Sequence, residues 1–344
     1  MLVGGALNRY QGAHIKDLLW AEKAYTSYKN NYSYEGLNTK EEASGFAKLT
    51  YTLNSKWSLF ADMQLRYVNY KAKKHKVDEA LYNFNPKMGV TFNLNPNNSF
   101  YLSYARATKE PNRSDYKDYA KELKKNALAK KPVAEKLNDF ELGWRYQSDK
   151  VVLNVNGYYM GYQDQLIPTG KLNETGYPIR ENVGSSYRSG IEADATVHLS
   201  TKWIWQPNVA FSKNITKDYK TEKKKVITYW GDTQISYSPS AVIGNTISFL
   251  PIKNFQASLI SKYVGSQYID NTQREEAKLD AYFVNNLSLQ YEWKPKHTFK
   301  SVLFSVIGNN ILNAKYIPYG SNKYGESYIP AAEAHYLAGI TLSF

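Results

Sequence analysis

Apolar and polar residues alternate with a period of two along most of this chain. Trp57, Leu59, Ala61, Met63, Leu65 and Tyr67 interleave with Ser58, Phe60, Asp62, Gln64 and Arg66. Met88, Val90, Phe92 and Leu94 do the same with Lys87, Gly89, Thr91 and Asn93, and Phe140, Leu142, Trp144 and Tyr146 with Glu141, Gly143 and Arg145. Ile191, Ala193, Ala195 and Val197 alternate with Glu192, Asp194, Thr196 and His198. Each run has one apolar face and one polar, often charged face, as a β-strand lying between two different environments should.

The connections between these runs alternate as well. Short turns fall at Asn54–Lys56, Asn95–Asn98, Ser148–Asp149, Ser200–Lys202, Pro251–Asn254 and Lys294–His297. Longer polar loops fall at 11–41, 71–85, 109–136, 166–184, 215–232, 268–278 and 313–331. Seven long and six short connections predict 14 antiparallel strands with every long loop on one side. A soluble β-sandwich has no reason to segregate its loops in this way. A transmembrane β-barrel does, with short periplasmic turns, long extracellular loops and aromatic residues where strands meet the membrane interface. Trp57, Tyr67, Phe100, Tyr146, Trp203, Trp205, Tyr291 and Trp293 stand at such positions.

The chain ends on one more alternating strand, in which Tyr336, Ala338, Ile340, Leu342 and Phe344 share a face. Tyr336, Ile340, Leu342 and the terminal Phe344 resemble the C-terminal signal by which bacterial outer-membrane barrels are recognised for assembly. Composition agrees with a barrel. Tyrosine supplies 31 of 344 residues beside 13 Phe and 7 Trp, an aromatic load that interfacial belts absorb. The longest uncharged stretch, 233–252, is interrupted by Ser236, Pro239, Gly244 and Asn245 and is no membrane helix. The opening MLVGGALNRYQG has no basic-then-apolar leader, so the chain is either not exported as it stands or is the interior of a longer one.

Several segments resemble the barrel of TonB-dependent outer-membrane receptors of the kind found in Bacteroidota. Asn182–Ala193, with its Gly190-Ile191-Glu192 step, resembles the opening of a long mid-barrel strand of that family. Gly308–Tyr316 resembles its Asn-Leu-Phe-x-x-x-Tyr segment, with Ile311-Leu312 in place of Leu-Phe. Asn83–Gly89, Tyr101–Tyr116 (containing Glu110-Pro111-Asn112-Arg113) and Tyr158–Gly170 have the same look. The resemblance implies that residues 1–344 are the C-terminal part of a barrel of about 22 strands, with its first strands and its plug domain outside this chain. It also implies a receptor that takes up a scarce nutrient (a ferric siderophore, haem, a corrinoid or a glycan) under the action of TonB. The rival reading is a self-contained 14-stranded passive channel; a third, a soluble β-sheet binding protein, leaves an apolar face on every strand uncovered.

Catalytic chemistry is not expected. No cysteine is present, and His14, His75, His198, His297 and His335 have no metal-ligand spacing. His198 shares a polar face with Glu192 and Asp194, but no serine is placed to act as nucleophile. No phosphate-binding loop or cofactor fingerprint appears. A net charge of +13 would suit nucleic acid, yet the lysine runs 71–76, 122–131 and 222–225 fall in long loops, where lipopolysaccharide phosphates or an anionic ligand are the simpler partners. Residues 115–130 have helical composition, ended by Pro132. In a barrel, Asp62, Arg66, Lys87, Glu141, Arg145, Glu192 and Asp194 point into the lumen and pair with water or a plug. Ligand contact is expected instead from the loop residues Arg113, Tyr116, Gln165, Tyr177, Arg180, Tyr268, Tyr319 and Tyr328. The first and last strands should either pair with each other or leave costly open edges.

Overall fold

Fourteen strands follow one another in a single antiparallel sheet. They are β1 (Leu2–Lys16), β2 (Ser33–Thr52), β3 (Trp57–Ala72), β4 (Val77–Asn95), β5 (Asn98–Lys109), β6 (Glu135–Gln147), β7 (Val151–Leu172), β8 (Pro178–His198), β9 (Trp203–Lys223), β11 (Ala241–Phe249), β12 (Phe255–Val264), β15 (Tyr282–Trp293), β16 (Ser301–Asn309) and β19 (His335–Ser343). The fifteenth, β10 (Val226–Gln234), pairs with the upper part of β9. Between wall strands lie helix α1 (Arg113–Leu123) and two small hairpins, β13 (Gln267–Tyr268) with β14 (Lys278–Leu279) and β17 (Tyr319–Ser321) with β18 (Ser327–Ile329). This computed structural model describes residues 1–16, 33–72, 77–124, 129–173, 176–223, 226–295, 299–322 and 327–344. The lysines at 73, 74, 76, 224 and 225, together with His75 and His297, lie outside the described residues, as does the side chain of His14.

Five of the six short turns sit where the alternation breaks, and Lys294–His297 lies partly outside the described residues; the described parts of the long connections sit on the opposite side. The strands, however, run much farther than expected. β3 and β4 continue to Ala72 and from Val77, β7 and β8 to Leu172 and from Pro178, and β9 and β10 to Lys223 and from Val226. Stretches expected as loops at 71–85, 166–184 and 215–232 are thus largely hairpin. Polar residues do not end an antiparallel ladder once water solvates both faces, because cross-strand hydrogen bonds are satisfied either way. The uncharged stretch after β10 departs in the other sense. It is broken at 235–240, where Tyr237 takes a left-handed φ of 52° and Pro239 offers no N–H; the ladder resumes when Ser212 N donates to Ser240 O at 2.9 Å.

Cross-strand register separates the two faces. Leu142 is opposite Gly157, Gly157 opposite Ile191 and Ile191 opposite Phe211, and Leu142, Ile191 and Phe211 are all exposed. One position along, Glu141 is opposite Tyr158 and Tyr158 opposite Gly190. The Gly190 position is required: a Cβ there would lie 2.3 Å from Phe211 O and 2.9 Å from Tyr158 Oη. The Gly-Ile-Glu step therefore lets Tyr158 lie against the inner wall, sends Ile191 outward and sends Glu192 inward. Aromatic pairs line the outward face near the short turns: Trp57 with Phe92 at 4.5 Å and Trp203 with Phe249 at 4.4 Å. A second set, Tyr67 with Tyr82 at 4.9 Å, lies toward the long-loop side. From Trp57 to Tyr67 the strand rises by roughly 33 Å, or about 25 Å vertically at barrel tilt, which matches the apolar band of an outer membrane. Tyr336, Ile340, Leu342 and Phe344 extend this outward face onto β19 and are all exposed.

The sheet has two margins. β1 pairs only with β2 and β19 only with β16, and among the described residues no ladder joins β1 to β19.

Candidate functional site

The inner face and the loop end of the wall hold the polar chemistry of the chain. All seven charges expected to point inward fall on the same face. Asp62 is opposite Lys87, Arg66 is opposite Asn83, Arg145 is opposite Asn154, and Asn154 and Asn156 are opposite Asp194 and Glu192. Asn154 Nδ2 donates to Asp194 Oδ2 at 3.0 Å. The Arg145 guanidinium lies 4.4 Å from the centre of the Tyr101 ring, which itself fills the space a side chain at Gly143 would need. Between β6 and β9 the wall carries an open cleft of about 340 Å³ lined by Glu141, Tyr158, Arg188, Glu192, Asn214 and Tyr237 among others.

Two clusters of side chains hold the loops at the outer end. The first is built on Glu110-Pro111-Asn112-Arg113. Glu110 accepts from Arg66 Nη1 at 2.8 Å and Nη2 at 2.9 Å and from Lys40 Nζ at 2.7 Å, while Arg66 Nε donates to Glu42 at 2.7 Å. Burial opposes the charge on Glu110, but the hydrogen bonds from Arg66 and Lys40 outweigh it and bring its pKa down to about 2. Asn112 then caps α1 through a reciprocal box with Asp115: Asp115 N donates to Asn112 Oδ1 at 3.1 Å and Asn112 N to Asp115 Oδ2 at 2.7 Å. The helix starts two residues before the expected 115 and ends at Leu123, well short of Pro132. Its Tyr116 is buried against Ala72 and Val77 and stacks on Tyr70 at 5.8 Å, and burial pushes its phenol up to about 12.

Asp115 has a second partner, Arg180 of β8, which donates from Nε at 3.0 Å and Nη2 at 2.7 Å. Asp115 is nearly fully buried, so Arg180→Ala leaves a buried carboxylate without its cation. The expected result is release of α1 from the wall, read as amide exchange at least tenfold faster across 113–123 with the 57–72 strand unchanged.

The second cluster gathers four segments around 235–240. Ser236 N donates to Asn271 Oδ1 at 2.8 Å, and Ser236 Oγ and Asn271 Nδ2 both donate to Pro168 O, at 3.0 and 2.8 Å. Tyr237 stacks on Tyr319 at 5.4 Å and its hydroxyl donates to Gly320 O. Asn322 Nδ2 donates to Asp270 Oδ2 at 3.0 Å. Ile235, Ile167, Val183 and Tyr219 form the apolar seat below.

The eight loop residues expected to meet ligand therefore divide. Arg113 and Tyr116 belong to α1, and Arg180 is hydrogen-bonded to its Asp115. Gln165 is buried and accepts from Ser186 Oγ at 2.8 Å. Tyr268 accepts Tyr237 N through its carbonyl at 2.9 Å, Tyr319 carries the stack on Tyr237, and Tyr328 donates to Glu276 O. Tyr177 stands at the tip between β7 and β8, with 66% of its surface exposed. Sequence reasoning missed Arg188, which donates to Asn214 Oδ1 at 3.1 Å and Ser238 Oγ at 3.0 Å, and it missed Tyr237. The only signal was Pro239 between two serines in an otherwise strand-like run. Of the histidines, His198 is exposed at the periplasmic end of β8, and His335 lies 3.1 Å from Asn309 Nδ2.

Comparison with known proteins agrees with this architecture. The family model described as "TonB dependent receptor-like, beta-barrel" matches residues 2–311. The pesticin receptor of Yersinia enterocolitica is 24% identical over 195 residues, covering 56% of this chain and 26% of the receptor. Among solved structures, the ferric-catecholate import receptor Fiu of E. coli K12 superposes with a TM-score of 0.70 at 14% identity, covering 98% of this chain and 50% of that one. The siderophore receptor PiuA of Acinetobacter baumannii gives 0.69 at 15% identity, covering 98% and 52%. The chain thus spans about half the length of the solved receptors it matches.

Proposed function

The chain belongs to the TonB-dependent receptor-like β-barrel family, and on that premise we propose that it is the C-terminal part of the barrel of a Bacteroidota-type receptor importing a scarce nutrient through the outer membrane. The family places it in the outer membrane, and its members are receptors and transporters. The observation that carries the reading is the wall itself. Its outward face is apolar and exposed, while its inward face is lined by Asp62, Lys87, Glu141, Arg145, Glu192 and Asp194. Such a face needs water or another polar domain against it. A plug inside a wider barrel supplies that surface, and about eight strands and the plug would come from sequence preceding this chain. The clamped mouth supports a receptor rather than a passive channel, because Glu110, Asp115 and Asn271 hold loops at the outer end of the strands in fixed positions.

Ferric siderophores head the candidate ligands, since Fiu and PiuA are described as a ferric-catecholate import receptor and a siderophore receptor; haem, corrinoids and glycans complete the set. TonB would act through the preceding region, pulling on the plug. The in-frame sequence upstream is expected to encode further alternating strands and a plug. Deleting the whole frame is expected to abolish uptake of one ligand class, measured in the host with iron-55-loaded siderophores, haem, cobalamin and labelled oligosaccharide in turn. Unchanged uptake of all four, or a stop codon close upstream, would sink the proposal.

A further inference from the structure

Three of the short turns are built alike, and each presents a lysine at the same place. They are Asn54-Ser55-Lys56-Trp57, Ser148-Asp149-Lys150-Val151 and Ser200-Thr201-Lys202-Trp203. The N–H of the first residue donates to the carbonyl of the fourth in every case, at 3.4, 2.8 and 3.3 Å. The first side chain then folds onto its own turn. Asn54 Oδ1 accepts from Lys56 N at 2.9 Å and Trp57 N at 3.0 Å, Ser148 Oγ from Val151 N at 3.1 Å and Ser200 Oγ from Lys202 N at 3.2 Å. Such local bonds fix the turn, so all three lysines leave the backbone in equivalent positions.

The charge on this rim has one sign. Lys253 stands in the turn Pro251–Asn254 and Lys294 at the start of the next, while Asn95–Asn98 is uncharged; Asp149 is the single acid in the six turns. Lys294 pairs with Glu292 at 3.0 Å. Lys56, Lys150, Lys202 and Lys253 are exposed, and among the described residues none of them has a carboxylate within 4.0 Å. Two strands separate one turn from the next, which sets Lys150, Lys202 and Lys253 about 10 Å apart along the rim and Lys56 about 20 Å beyond Lys150.

The row does not face lipid. Trp57, Val151 and Trp203 point outward, and Trp57 and Trp203 carry the aromatic pairs of that face. Adjacent residues of a strand point to opposite sides, so Lys56, Lys150 and Lys202 stand on the axis side of the rim, looking into the periplasm. A small anion would meet one lysine at a time in screening solvent and gain little. A polymer with repeated carboxylates engages several at once, and its affinity multiplies. We propose that this rim is a docking surface for peptidoglycan, with Lys56, Lys150, Lys202 and Lys253 taking the carboxylates of its stem peptides. The proposal rests on the outer-membrane placement and not on transport, so loss of cell-wall binding and loss of uptake are separate failures.

The test is sedimentation with the cell wall. The protein is extracted from outer membranes in dodecyl maltoside, mixed with purified sacculi and pelleted. K56Q/K150Q/K202Q/K253Q is expected to bind about tenfold more weakly than wild type. K136Q/K171Q/K213Q/K220Q, which removes the same charge at the opposite end of the strands, is expected to bind as wild type does. Should the rim variant fail to fold, wild type on sacculi whose carboxylates have been amidated must show the same tenfold loss. Equal affinity of the two variants or equal affinity for native and amidated sacculi overturns the proposal. So does full competition by phosphatidylglycerol in mixed micelles, which would assign the lysines to lipid.

Discussion

Arg66→Ala is expected to lower the stability of the folded chain by about 2–3 kcal/mol, somewhat below the cost of breaking a fully buried pair because the network keeps partial water contact. Arg66 donates to both Glu42 and Glu110, with side chains only 19%, 23% and 15% exposed. Removing the guanidinium leaves two carboxylates sharing one site, with Lys40 alone to offset them. Guanidinium unfolding in detergent, followed by tryptophan fluorescence, measures the loss. Arg66→Ala with Glu110→Gln should cost clearly less than the sum of the single changes, since the second removes the charge that the first strands. The same network sets a pH dependence. Glu110 has its pKa lowered from 4.5 to about 2 in the folded state, so its contribution is complete above about pH 4.5 and lost as pH falls toward 2. Stability that instead fell between pH 7 and 5 in wild type, but not in Glu110→Gln, would show that the carboxylate is not held in this way.

Leu142→Arg is expected to cost about 2–4 kcal/mol and to block assembly into the outer membrane. Leu142 is 61% exposed, about five residues above the short turn at the end of β6, near the middle of the apolar band. Its neighbour Glu141 faces inward, and Glu141→Gln is expected to assemble normally. The pair tests the assignment of faces directly. Heat-modifiable migration of extracted protein distinguishes folded from unfolded chain, and a wild-type pattern for Leu142→Arg would mean that this face does not meet lipid.

Much of this architecture is legible in the sequence because a barrel wall is a local structure. Side chains alternate between lipid and lumen at every step, so period two along Trp57–Tyr67 or Phe140–Tyr146 states both the strand and its faces. The short turns and the order of the wall strands follow from the same pattern, since each wall strand pairs with the next wall strand along the chain. The loop end was far less legible. The strand extensions to Ala72, Leu172 and Lys223 lie where water solvates both faces and the alternation fades, although the ladder does not. In the sequence, Glu110-Pro111-Asn112-Arg113 carries only a family likeness. That Glu110 reaches Arg66 forty-four residues away, and that Asn112 starts a helix, needed coordinates.

What the chain determined by itself, then, is the wall: strand number, the two faces and the one face shared by the charges from Asp62 to Asp194. Tertiary structure decided the mouth: Arg180 on Asp115, Tyr237 on Tyr319, and Asn271 between Ser236 and Pro168. The reason is physical. A wall strand takes its environment from membrane and water, which impose a repeating pattern on every residue. A loop contact is made between segments as far apart as the 103 residues between Asn271 and Pro168 or the 151 between Ser321 and Gly170, and leaves no periodic trace in either.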